Sequence, residues 1–594
     1  MSQFLNRRAS IFGIGRAALL GISVAVLGVS SRVDAQTLAP APEGVTQRTS
    51  RNLGEAHQFM VAAANPLAAE AGRDILRAGG SAVDAAIAVQ LVLNLVEPQS
   101  SGLGGGAFML HWDAAKRALM TLDGRETAPA SVTPELFLTA DGKPMPFMEA
   151  VVGGRSVGVP GTPRLLEAAH KRWGRLPWAR LFEPAIRLAD EGFAISPRLN
   201  GLLSQEQALR ADARARAYFY GEDGNPKAVG ALLKSPAMAA TLRALARDGM
   251  DAFYSGVIAE DIVATVGGHV KNPGGITLAD LKTYAIAERP AVCHPYRVYT
   301  VCGMGPPSSG GIGVAQILST LATRDLARMG QGAEAVHWIA EAGRLAYADR
   351  AQYLGDPDFL AVPVRGLLDA DYLRDRAALV RPDRSMGKAA AGEPPFARRS
   401  QLFAPSDGVE NGTSHISVVD ATGNAVSMTT TIESGFGARI MTASGFLMNN
   451  ELTDFNFAPS EGGKSVANRV EPGKRPRSSM APTIVFDAFD RLYVITGSPG
   501  GSQIINYVAK TLVAILDWKL DPQVAVDWPN VGSRNGPTEL EAGTEAESWK
   551  APLEALGHQV SVMPMTSGTQ AIVLTPSGFL GGADSRREGV AIGD

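Results

Sequence analysis

Hydrophobic residues follow two rhythms along the chain, and the change falls near residue 412. Ahead of it the sequence reads as helices with strands between them. Asn65-Pro66, Thr162-Pro163 and Ser235-Pro236 each place an N-cap residue before a proline at the first helical position, and Gly79, Gly174 and Gly249 close these three segments. Ser81 with Asp84 opens a further helix through Ala85, Ala86 and Ala88 to about Val96. Helical patterns also cover 183–192, 256–266, 277–284, 311–322 and 333–354. Residues 385–412 are polar, rich in proline and glycine and without period, which predicts an exposed segment.

From Thr413 strands take over. HISVVD, ATGN and AVSMTTTI form a predicted hairpin with Gly423 in its turn. Pairing Asp420 with Ala425 puts Thr431 opposite Ser414, one step from Thr413. A second hairpin, PTIVFD-AFD-RLYVITG, runs into Ser498-Pro499-Gly500-Gly501 and the helix SQIINYVAKTLVAILDW. Earlier in the chain, AVCHPYRVYTVC makes a hairpin if its turn centres on Arg297-Val298. Cys293 and Cys302 then face each other, and both a disulfide and two free buried thiols fit.

Composition narrows the classes. The 594 residues allow three or four domains or one large fused core, and 45% hydrophobic with 19% charged residues describes a globular chain. A net charge of −3 leaves no basic footprint, so no nucleic-acid partner is expected. The eight histidines show neither HExxH nor Cys/His spacing, and neither GxGxxG nor GxxxxGK(S/T) appears in a valid context, so neither a metal nor another cofactor is expected. Arg7, Arg8 and Arg16 precede an apolar stretch from Ala17 to about Val29, followed by Val33-Asp34-Ala35. That order is a secretory signal cut after Ala35, and it predicts export to the periplasm or beyond. The stretch is too short to span a bilayer, and no later one is long enough, so the mature protein is expected to lack a membrane span.

Three places carry candidate chemistry. Gly154-Arg155-Ser156-Val157-Gly158 matches the pattern GxSxG, but Pro160-Gly161-Thr162-Pro163 intervenes before the next helix, so Ser156 is not a nucleophile elbow. Gly412-Thr413 is the stronger signal. A cut before Thr413 would give one residue both a hydroxyl nucleophile and a free α-amine, whose pKa near 8 suits a base. Thr431 would orient that hydroxyl, and Gly500-Gly501 at a helix start offers backbone N–H groups to an oxyanion.

Taken together, EPQSSGLGGGAFML (97–110), DGRETAP (123–129), VGVPGT (157–162), PPSSGGIG (306–313), GTSHISVVD (412–420), FLMNNELTDF (446–455), GKRPRSSMAPT (473–483) and GSPGGSQII (497–505) resemble the gamma-glutamyltransferase (glutathione hydrolase) family. The resemblance runs from about residue 60 to the C-terminus. It implies an α+β, four-layer αββα sandwich of the N-terminal-nucleophile hydrolase type. It also implies self-cleavage between Gly412 and Thr413, giving a large subunit, 36–412, and a small subunit, 413–594.

The resemblance further implies roles for single residues. Thr413 would be the nucleophile, Thr431 its assistant, and Gly500 and Gly501 the oxyanion hole. Arg125, with Ser478 and Ser479 beside it, would hold the substrate α-carboxylate, and Glu451 and Asp454 the α-ammonium. Glu433 stands where many members have asparagine and adds a third carboxyl near the ammonium. The implied donor is glutathione or another γ-glutamyl compound, and the acceptor water, an amino acid or a peptide. The alternatives are a glutaryl or cephalosporin acylase on the same fold, or a periplasmic binding protein without catalysis.

Overall fold

The computed structural model describes residues 48–397 and 412–594; the expected leader (1–35) and residues 398–411 of the polar segment lie outside these. Fourteen strands form two seven-stranded sheets. In chain order they are β1 (Gly54–Ala56), β2 (Met60–Ala63), β3 (Gly106–Asp113), β4 (Ala118–Gly124), β5 (Ala287–Glu288), β6 (Val292–Tyr296), β7 (Tyr299–Gly303), β8 (Ser414–Val419), β9 (Ala425–Thr431), β10 (Thr483–Phe486), β11 (Leu492–Gly497), β12 (Gln570–Thr575), β13 (Gly578–Ala583) and β14 (Val590–Gly593). One sheet runs β1-β13-β12-β11-β10-β7-β6, the other β14-β2-β8-β9-β3-β4-β5.

Period-2 alternation splits each strand of the second sheet between two cores. Val61, Ala63, Ala107, Met109, Ile416, Val418, Val426 and Met428 pack on an outer helical layer. That layer includes α1 (Pro66–Arg77), α2 (Ala82–Val96) and α3 (Thr162–Trp173). On the opposite face Met60, Ala62, Phe108, Leu110 and Trp112 share a core with Val301, Ile484, Val494 and Ile572 of the first sheet. The far side of that sheet carries α4 (Gly310–Leu321), α5 (Ala333–Tyr353) and α6 (Ile504–Leu516). The result is the αββα sandwich.

Local signals behave as their chemistry requires. Asn65 and Ser235 cap their helices through side-chain oxygens, and Ser81 and Asp84 make a reciprocal capping box. Thr162 is a first helical residue rather than a cap, with Gly161 ahead of it. Cys293 pairs with Cys302 across the β6–β7 hairpin and the two form a disulfide.

The β8–β9 register corrects the sequence expectation by one residue. Ser414 faces Thr430, and Val419 faces Ala425. The cause is the turn: the Asp420 carboxylate accepts from the backbone of Thr422 at 2.8 Å and Asn424 at 3.1 Å, while Asp420 N donates to Asn424 O at 2.9 Å. Asp420 and Asn424 therefore close the hairpin, and Thr431 comes level with Thr413.

Where the sheets meet near these strand ends, contact is polar. Ser427 Oγ donates to Thr496 O at 3.0 Å and accepts from Thr483 N at 3.0 Å, and Ser417 Oγ donates to Gln570 O at 3.3 Å. By alternation, Thr413 and Thr431 point into this same inter-sheet space.

The outer core holds β8 and β9 in place. Met428→Ala should lower unfolding free energy by about 2–5 kcal/mol, read as a shift in the urea midpoint. A loss below about 1 kcal/mol would show that this face of β9 is not close-packed.

Candidate active site

Gly412 and Thr413 lie immediately ahead of β8, and Thr413 is only 2% exposed. The Gly412 carbonyl accepts a hydrogen bond from Thr431 Oγ1 at 2.7 Å and another from the Thr413 hydroxyl itself. The candidate nucleophile thus touches the carbonyl of the bond before it, and the second threonine polarises that carbonyl. Gly412 has φ +31°, and a Cβ there would come within 2.3 Å of Glu433 O, so only glycine fits. Thr431 Oγ1 also accepts from Glu433 N at 2.8 Å, which fixes the hydroxyl proton toward Gly412.

Thr413 is braced at its other end. Arg587 Nη1 donates to Thr413 O at 2.9 Å, and Ser414 Oγ donates to Glu97 Oε2 at 3.1 Å. His415 does not supply a base. Its ring nitrogens contact Thr429 Oγ1 at 2.8 Å and Ser417 Oγ at 3.1 Å, and burial lowers its pKa to about 3.

The Ser498–Gly501 loop follows β11, whose last residue, Gly497, lies against the His415 ring. Gly500 and Gly501 have φ +136° and +57°, and a Cβ on Gly500 would enter the Tyr507 ring. Gly500 therefore requires glycine, Gly501 takes a left-handed conformation that favours it, and the turn leads into the first residues of a helix.

Arg125 follows β4 and is buried. Its backbone N–H donates to Asp123 Oδ1 at 2.9 Å, and Tyr284 holds its carbonyl at 2.8 Å. The guanidinium donates to Pro476 O at 3.2 Å and Arg477 O at 3.0 Å, and it pairs with Glu451 through Nη1 and Asp454 through Nη2. The three charged residues singled out for a substrate zwitterion are thus in direct contact, against the segment that carries Ser478 and Ser479. Ser478 Oγ accepts from Met480 N at 3.1 Å and Ser479 Oγ from Arg350 Nη2 at 2.9 Å. A hydroxyl that accepts from the chain keeps its own proton to donate.

Glu433, in a left-handed conformation at φ +75°, accepts from the Asn450 amide. Burial, reinforced by the Asp454 charge, raises its pKa well above the ordinary carboxyl value. Burial also raises Glu451, against the pull of Arg125. Sequence reading missed a fourth carboxyl, Glu126, which burial pushes up to about 8. Its signal was its place beside Arg125 within DGRETAP. Arg587 and Arg350, also missed, carry no local signal because both act across the fold.

Folding also gathers three possible metal ligands that spacing hid: His337, Glu341 and His558. Here His337 Nε2 donates to Arg381 O at 2.7 Å, its Nδ1 pairs with His558 Nε2 at 2.7 Å, and His558 Nδ1 meets Thr538 Oγ1 at 2.7 Å. Every ring nitrogen is used in hydrogen bonding.

Glu126 sets a pH dependence. Between the ordinary value of 4.5 and about 8 the folded chain keeps a proton that the unfolded chain has released. Stability contributed by this group is therefore present below that window and falls as pH rises through it. Glu126→Gln should flatten the fall in urea midpoint between about pH 5 and about pH 8. An unchanged slope would contradict the raised pKa.

The family description Gamma-glutamyltranspeptidase matches residues 68–594. The glutathione hydrolase proenzyme of Bacillus subtilis (strain 168) is 39% identical over 544 residues, covering 90% of this chain and 91% of that protein. The Escherichia coli (strain K12) protein of the same name is 37% identical over 583 residues, covering 95% and 97%. Among solved structures, a cephalosporin acylase from Bacillus halodurans superposes with a TM-score of 0.79 at 28% identity, covering 93% of this chain and 99% of that one. With its fold, its motifs and nearly its whole length accounted for, the chain belongs to the gamma-glutamyltranspeptidase family.

Proposed function

We propose that this enzyme is exported, cuts itself between Gly412 and Thr413, and then hydrolyses or transfers γ-glutamyl groups from glutathione and related amides. The observation that carries the reading is the pair of hydroxyls on one carbonyl: Thr431 Oγ1 at 2.7 Å from Gly412 O, and Thr413 Oγ1 in contact with it.

In self-cleavage, Thr413 Oγ bonds to the Gly412 carbonyl carbon, and Thr431 donates to the oxygen as it becomes an oxyanion. The C–N bond breaks and the hydroxyl proton ends on the leaving nitrogen. Water then opens the Gly412 ester, leaving a large subunit, 36–412, and a small one beginning with a free amine at Thr413. That amine is the base for its own hydroxyl.

In turnover, the donor presents a carboxylate and an ammonium at one end and an amide at the other. Arg125, Ser478 and Ser479 receive the carboxylate, and Glu451, Asp454 and Glu433 receive the ammonium. The cation takes the place of the proton that a crowded buried carboxyl otherwise holds. Thr413 Oγ attacks the γ-carbonyl, and the Gly500 and Gly501 N–H groups stabilise its oxyanion. The departing amine takes a proton, and water or an acceptor amine resolves the Thr413 ester.

An acylase acting on glutaryl amides is the second reading, favoured by the superposition on the Bacillus halodurans cephalosporin acylase. The four carboxyls around Arg125 favour a donor carrying an ammonium, which a glutaryl group lacks.

Two results follow. Thr413→Ala should remain one uncut, inactive chain, and Thr431→Ala should slow cleavage on the order of a hundredfold, as gels over time would show. Two normal fragments from Thr413→Ala would refute the assignment. Release of p-nitroaniline from the γ-glutamyl derivative should exceed that from the glutaryl derivative by about a hundredfold or more in kcat/KM. Equal rates would make the enzyme a general acylase.

A further inference from the structure

The Gly500–Gly501 turn has no side chains with which to anchor itself, yet oxyanion donors must be held to about half an ångström. Ser498, ahead of it, is tied to Pro499, Gly568 and Thr569, and on its helix side the anchors come from the two residues that follow. Ser502 Oγ accepts from Arg534 Nη1 at 2.8 Å, and the Ser502 carbonyl accepts from the Tyr347 hydroxyl on α5. Gln503 N donates to Gly500 O at 3.1 Å, and its side-chain amide donates to Glu539. Glu539 is fully buried and takes Arg534 Nη2 at 2.7 Å and Nε at 3.2 Å on its other oxygen. One ion pair, Arg534–Glu539, therefore holds both residues after the turn.

We infer that Arg534 is a positioning residue for turnover: through Ser502 it fixes the backbone donors of the Gly500–Gly501 turn, without touching substrate. Its fork geometry suits this. Two nitrogens are spent on Glu539, which leaves the third aimed at the serine hydroxyl. The carbonyl cut in self-processing is served by Thr431, on the other sheet, so the brace matters to turnover and not to cleavage. The inference rests on the reading that Gly500 and Gly501 form the oxyanion hole.

The test compares full-length wild type with Arg534→Met, Ser502→Ala and the double variant. The readouts are fragment formation on gels, and kcat and KM for γ-glutamyl-p-nitroanilide. Each single variant should cut itself at the wild-type rate and keep KM within about twofold, while kcat falls about tenfold. The double variant should fall no further than the worse single, because both singles already remove the Arg534–Ser502 bond. Arg534→Lys, which can still reach Ser502, should recover part of kcat.

Unchanged kcat in both single variants would overturn the inference. So would losses that multiply in the double variant, or cleavage and turnover slowed alike, which mark a general packing role. If Arg534→Met fails to fold, Ser502→Ala alone decides by the same split. A wild-type chain that stays uncut would remove the underlying reading, and the inference with it, and is recognised before any variant is made.

Discussion

The hydrogen bond from Thr431 to the Gly412 carbonyl exists because two neighbouring strands end level with each other. That alignment is set at the opposite end of the hairpin, where Asp420 caps its own turn and closes it on Asn424. A slip of one residue would turn every side chain of β8 to the other face and carry Thr413 out of the inter-sheet space. Packing guards the register: Ile416, Val418, Val426 and Met428 fill the outer core, while Ser417 and Ser427 bond across to the first sheet. The contact at Gly412 is therefore a consequence of the fold's core, not a loop added to it.

The substrate end of the site obeys a different constraint. Arg125 lies among Glu126, Glu433, Glu451 and Asp454 with almost no exposure to water. Four buried carboxyls share this cluster, with Arg125 beside Glu126, Glu451 and Asp454 and Arg439 facing Glu433, and burial raises the pKa of Glu126, Glu433 and Glu451, which favours their protonated forms. Removing one partner of such a buried pair costs about 3–5 kcal/mol, so stability and recognition are tied together here. The cluster that holds Arg125 brings both signs of charge together, and under the proposed function these would meet the carboxylate and ammonium of a zwitterion.

Much of this was legible in the sequence because it is encoded locally. Asn65-Pro66, Ser81 with Asp84, and the two-residue turn between Cys293 and Cys302 each state their geometry within a few residues. The β8–β9 hairpin was legible too, but its register was not. The sequence-based pairing missed the Asx turn at Asp420, a side-chain effect that alternation alone does not contain. Residues that act across the fold left no periodic trace. Arg587 reaches Thr413 from the C-terminal segment, Tyr347 reaches Ser502 from α5, and His337 meets His558 across 221 positions. Family motifs supplied Arg125, Glu451 and Asp454, and the fold then brought all three into contact.

The most direct measurement is the N-terminal sequence and intact mass of the smaller species in freshly purified, active wild-type protein. The account predicts a fragment that begins Thr-Ser-His-Ile-Ser at residue 413. Fully active material consisting of one continuous chain through residues 412 and 413 would contradict it.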